Sequence, residues 1–151
     1  MVTIAKATIL ENVHQTFYTI LNAITGFTGY IYPAYPDLSL DAASSKSSYP
    51  MFILNSPDIE SWENHTLKKV KLTGTIRIDI FTTSAKTCDE YTSDVIDKIE
   101  TSIASLRNDG LRMIKLSDTN KDQFERGKIM VHNKSLTFEF EFIFDRSSFP
   151  W

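Results

Sequence analysis

The chain has 151 residues, of which 42% are hydrophobic and 23% charged, with a formal net charge of −3 and a pI near 5.6. That length suits a single domain able to bury a core without metal or disulfide staples, and the lone cysteine, Cys88, excludes an internal disulfide framework. The acidic balance argues against a protein built to grip phosphate backbones. No stretch approaches the roughly 20 apolar residues that cross a bilayer, and the N-terminus lacks a signal-peptide layout, so an intracellular product with no membrane partner is predicted.

From Thr3 to about Ile24, the residues Ile4, Ala7, Leu10, Val13, Phe17, Leu21 and Ile24 recur at spacings of three and four, which is the stripe of an amphipathic helix. Gly26 stands where a C-terminal cap belongs. Phe27 to Tyr49 mixes Tyr30, Tyr32, Tyr35 and Tyr49 with Pro33 and Pro36, then runs into DAASSKSS. Small polar residues bury too little surface to offset their ordering entropy, so residues 38–48 are expected to form a mobile loop, with the tyrosines on a short edge strand or an extended arm. Pro50 introduces a short buried strand, Met51 to Leu54.

Asn55 to Thr66 is polar apart from Ile59 and Trp62 and is predicted to be a connection. Leu67 to Phe81 alternates cleanly, with Val70, Leu72, Ile76, Ile78 and Ile80 on one face and Lys69, Lys71, Thr73, Thr75, Arg77 and Asp79 on the other. Gly74 interrupts the apolar face and marks a bend, a bulge or a close approach. A second helix is predicted to begin at a capping box formed by Thr87 and Glu90. Its stripe is Cys88, Tyr91, Val95, Ile99, Ile103 and Leu106, and Gly110 ends it. Leu111 to Leu116 has the pattern of a strand and Ser117 to Gly127 that of an exposed loop. Ile129 to Val131 then forms a strand that turns at His132 to Lys134 into Leu136 to Phe144, LTFEFEFIF.

That last stretch places Leu136, Phe138, Phe140, Phe142 and Phe144 on one face. Burying the row is worth roughly 10 kcal/mol before entropy is charged against it, so helices must cover it. Its other face carries Glu139 and Glu141, which antiparallel pairing would set against Lys69, Lys71 and Arg77, so the two alternating strands are predicted neighbours. The expected architecture is α+β, a mainly antiparallel sheet with two amphipathic helices packed on one face, in a single domain spanning residues 1–151 with an aromatic tail at 145–151.

No catalytic constellation emerges. His14, His65 and His132 are scattered, and none belongs to an HExxH or Cys/His cluster. Cys88 sits on the apolar stripe, which favours a buried thiol over a nucleophile. Asp94, Asp97 and Glu100 suit a solvated helix face, and no GxxxxGK, GxGxxG or GxSxG motif is present. The residues therefore call for no cofactor or metal. Tyr30, Tyr32 and Tyr35, Ile59 and Trp62 in a polar stretch, and Phe149 and Trp151 on the tail stand where an isolated domain gains little from them. Interfaces favour such anchors, so these seven are the candidate assembly contacts.

The ordered plan resembles the tail terminator or tail-completion proteins of long-tailed bacteriophages. The resemblance lies in the N-terminal amphipathic helix, Tyr49-Pro50-Met51-Phe52-Ile53 entering a first strand, a long strand ending Ile76 to Phe81, and Thr82-Thr83-Ser84 leading to the helix around Val95 to Leu106. Ile129-Met130-Val131-His132, stepping into the final alternating strand, completes it. It implies a non-enzymatic virion protein, assembled in the host cytoplasm, that closes into a ring, usually a hexamer. Such a ring caps the tail tube and joins it to the head connector, with DNA only as passing cargo. The loop from Leu38 to Ser48 and the aromatic tail depart from the simplest pattern and leave open a head–tail connector or adaptor role in the same neck. From other classes, a small metal-dependent nuclease with converging carboxylates, or a cytosolic binding module, remain alternatives.

Overall fold

The computed structural model describes residues 8–33, 49–64 and 69–145. Ile4, Ala7, Tyr35, the loop at 38–48, His65, Phe149 and Trp151 lie outside them. Among the described residues three helices, α1 (Ile9–Asn22), α2 (Ala85–Thr101) and α3 (Ile103–Asn108), accompany six strands: β1 (Ile31–Tyr32), β2 (Met51–Leu54), β3 (Asp58–Asn64), β4 (Lys69–Thr82), β5 (Leu111–Arg126) and β6 (Ile129–Asp145). The sheet runs β1-β2-β4-β6-β5, with β3 also paired to β4. Only β1 and β2 are parallel, so the α+β architecture with a mainly antiparallel sheet is observed.

The long pair of β4 and β6 forms the spine. Val70 faces Phe144, Leu72 faces Phe142, Ile76 faces Phe138 and Ile78 faces Leu136 in one unbroken register. Two clean alternations thus share one apolar face, and the helices cover it. Val13, Phe17, Ile20 and Leu21 of α1, Cys88, Val95 and Ile99 of α2, and Leu106 of α3 join that face in one core. The other face carries only a small cluster at one end, built on Tyr49, Met51 and Val131 with Tyr32, Phe81, Phe124 and Ile129 packed against it.

Charge pairing across the spine differs in detail from the expected one. Lys71 lies opposite Ile143 and reaches Glu141 only diagonally, at 3.9 Å, while Glu139 meets Lys115 of β5, also at 3.9 Å. Arg77 turns to Asp79 of its own strand, at 3.3 Å. The neighbours are those predicted; a shift of two residues in register separates the predicted charge partners.

The helices start and stop elsewhere than predicted. α1 buries Val13, Thr16, Phe17, Ile20 and Leu21 and leaves Leu10 exposed, and its C-cap is Ala23. Gly26, at φ 90°, serves the turn that follows. That turn returns Phe27 to stack on Phe52 at 3.7 Å, with Tyr91 edge-on to both. For α2 the N-cap is Ser84 rather than the box at Thr87 and Glu90: its Oγ accepts the Thr87 N–H at 3.4 Å. The helix breaks at Ser102, so the predicted second helix becomes α2 and α3.

Lys134 on β6 reaches the first turn of α2, its Nζ 2.6 Å from Asp89 Oδ1. That hydrogen bond, then the ammonium charge, holds the Asp89 carboxyl below its ordinary value of 3.8. A carboxyl whose pKa is depressed on folding stabilises the fold above the unfolded pKa and loses that contribution as pH falls through the folded one. Thermal unfolding followed from neutral pH downward is expected to show, below pH 3.8, a small loss of stability that is absent from Lys134→Met.

Three stretches expected to be irregular are strands. Asn55 to Thr66 contains β3, and Ser117 to Gly127 is taken up by β5 as far as Arg126. The turn expected at His132 to Lys134 is the interior of β6, where His132, Asn133 and Lys134 face Thr82, Phe81 and Ile80. β3 and the outer part of β5 are exposed except at half-buried Ser61 and Phe124, so neither shows the apolar alternation that marks a half-buried strand. Their conformation is imposed by long partners.

Candidate functional site

β2 and β3 lie end to end along the same side of β4. Met51 to Leu54 pair with Ile78 to Phe81, whereas Asp58 to Asn64 pair with Val70 to Thr75. The outer edge of β2 is occupied: β1 pairs with Phe52 and Ile53, and His14 Nε2 of α1 donates to Leu54 O at 3.0 Å. Among the described residues β3 has no strand on its outer side, nor has β5 at the far margin or β1 beyond β2. Among the described residues the sheet thus has three edge strands, the two-residue β1 and the longer β3 and β5, and the two long edges are unlike.

The candidate contacts separate on this frame. Ile59 and Trp62 share β3, opposite Gly74 and Leu72, and so project on the helix-covered side of the sheet. They are 41% and 56% exposed, and the Trp62 ring stands edge-on to Phe144 at 5.2 Å. Tyr30 and Tyr32 lie at the other half of β4, around β1. Tyr30 is exposed, and Tyr32 is half-buried beside Tyr49 and Met51. Tyr35, Phe149 and Trp151 fall outside the described residues.

Two further exposed apolar residues lie on the opposite edge. Met113 is 71% exposed with φ 52°, inside a register shift between Arg112 and Lys115, and Leu116 is 38% exposed at the start of a second shift. A bulge redirects a side chain out of the pleat. Leu116 sits in a stretch with the pattern of a strand, yet only the topology reveals that this strand has no outer neighbour among the described residues.

The polar side of the sheet holds a cavity of about 410 Å3 lined by Asn55, Ser56, Asp58, Thr75, Arg77 and Thr137. Beneath it Asp79 is buried and satisfied. Asn55 Nδ2 donates to Oδ2 at 2.9 Å, Ser135 Oγ donates to Oδ1, and Arg77 Nε is 3.3 Å from Oδ2. Both carboxylate oxygens are engaged within the sheet, so this arrangement ties β2, β4 and β6 together.

Groups that could carry chemistry elsewhere are dispersed. Cys88 is buried, its Sγ 3.9 Å from Ile80 O and His132 O, and desolvation raises its pKa, which keeps it a thiol. Among the described residues, no three His, Cys, Asp or Glu side chains group to hold a metal ion. No helix among them is long and apolar enough to cross a membrane.

The described residues thus define an α+β protein with helices packed on one face of a sheet whose long edges are β3 and β5. No model of a known protein family matches the sequence, and no curated protein does. Among solved structures, the fold is similar to a chain in the virion of a native gene transfer agent particle, at 12% identity and a TM-score of 0.49, over 87% of this chain and 95% of that one.

Proposed function

We propose that this chain is a structural subunit of a bacteriophage neck, a tail terminator whose copies close into a hexameric ring that caps the tail tube and joins it to the head connector. The observation that carries the reading is the pair of long, unlike edges left without a further strand among the described residues, one bearing Ile59 and Trp62 and the other Met113 and Leu116. A closed ring needs two different patches on each subunit, related by a rotation that returns to its start. The plan of an amphipathic helix, a short strand, a long strand, a helix and a final aromatic strand, which resembles the tail terminators, supports the same reading. So does the net charge of −3, since a channel that passes DNA works best when it does not hold it. The tail tube protein and the connector are the partners this role implies.

Trp62→Ala tests it. Its ring is mostly exposed and touches Phe144 edge-on, so losing it should cost the isolated fold only about 1 kcal/mol. As a central anchor it should cost assembly far more. Size-exclusion chromatography with light scattering, with and without tail tube protein, is expected to show a ring for the native chain and smaller species for the variant at nearly unchanged thermal stability. A native chain that stays monomeric and ignores tube subunits overturns the reading, and a variant that unfolds places Trp62 in the core instead.

A further inference from the structure

The two long edges carry opposite charge. β3 holds Asp58, Glu60 and Glu63 with no Lys or Arg between Asp58 and Asn64, whereas Leu111 to Ser117 of β5 holds Arg112 and Lys115 with no acid. Glu63 is shared with Lys71 at 3.4 Å, and Lys115 with Glu139 at 3.9 Å. Asp58, Glu60 and Arg112 make no ion pair among the described residues. Proteins commonly blunt a bare edge with lysine or proline. β3 carries neither: its guards are three acids and a register shift between Ile59 and Ser61, and it exposes Ile59 and Trp62.

The faces match as well. On β3, Ile59 and Trp62 lie on the helix-covered side, while Asp58 and Glu63, opposite Thr75 and Lys71, lie on the polar side. On β5, Leu116 lies opposite Phe138 and so on the helix-covered side, while Arg112 and Lys115, opposite Glu141 and Glu139, lie on the polar side. A sheet continued from one copy to the next would set apolar against apolar on one face and acid against base on the other.

Building on the ring reading above, we propose that copies of this chain occupy the β3 and β5 edges, with β3 of one subunit docked beside the Leu111 to Ser117 half of β5 in the next. Two β3 edges repel one another, and so do two basic halves of β5. Only unlike edges attract, which makes the contact heterologous and gives every subunit one of each.

Charge reversal tests this at positions that fill no core space. One variant carries Asp58→Lys and Glu60→Lys, and the other Arg112→Glu and Lys115→Glu. Each alone is expected to raise the concentration for half-assembly roughly 100-fold, since like charges then face each other across every contact. Mixed in equal amounts the two should assemble again as alternating rings, because each then offers the edge the other needs. Where a reversal lowers thermal stability, Glu60→Gln and Arg112→Gln are used instead, each expected to flatten the salt dependence of assembly. A native ring indifferent to both sets, or variants that fail to rescue each other, overturns the edge assignment and leaves the ring reading standing. A native chain that never assembles overturns both.

Discussion

Phe140→Ala is expected to lower the unfolding free energy by about 3–5 kcal/mol, the largest loss from any single truncation considered for this fold. Phe140 is almost fully buried in the middle of β6, opposite Gly74, with the aromatic row extending to either side of it. Its ring lies directly under the glycine: a Cβ built at Gly74 would stand 2.7 Å from Phe140 Cζ. Removing the ring opens a cavity where β4 carries no side chain to collapse into it, so relaxation cannot recover much of the cost. Denaturant unfolding, read as a change in midpoint at constant slope, measures it. A loss below about 1 kcal/mol would mean that the row is not the centre of the core.

Gly74→Ala is expected to be the second large effect, for the converse reason. The new methyl would lie 2.6 Å from Asp58 O as well as against the Phe140 ring. Neither neighbour yields cheaply, because one is backbone of β3 and the other is packed on all sides. Overpacking of this kind costs about 1–3 kcal/mol. The strand that gives way should be β3, whose only strand partner among the described residues is β4, so assembly should suffer more than stability. Phe140→Leu combined with Gly74→Ala relieves only one of the two clashes, and the double variant is expected to regain part of the stability but not the assembly. Full recovery of both would show that Asp58 O does not confine Gly74.

How much of this was legible in the sequence follows from where each residue sits in the sheet. Leu136 to Phe144 and Val70 to Ile80 announced themselves because one face is buried and the other is not, and their pairing was readable from the same alternation. Gly74 stood out as an interruption of an apolar face, and the close approach of Asp58 O and Phe140 is its cause. β3 and the outer part of β5 were illegible for a physical reason: with nearly every residue in solvent, composition follows solubility and says little about conformation. Cap geometry was misread where Ser84, three residues before Thr87, supplied the hydroxyl.

The candidate contacts divide similarly. Ile59 and Trp62 could be singled out because large apolar residues in a polar stretch are conspicuous, although their position on a free edge was not visible. Met113 and Leu116 were missed because an apolar residue within a predicted strand attracts no notice. An edge is a property of topology, and topology depends on which strand lies beside which.

Self-assembly through two unlike edges is read out by native mass spectrometry of the purified chain, paired with negative-stain electron microscopy. The expected result is a closed ring of a single stoichiometry, the hexamer, that dissociates as salt is raised. A monomer at all concentrations, or a two-fold dimer that goes no further, would contradict it.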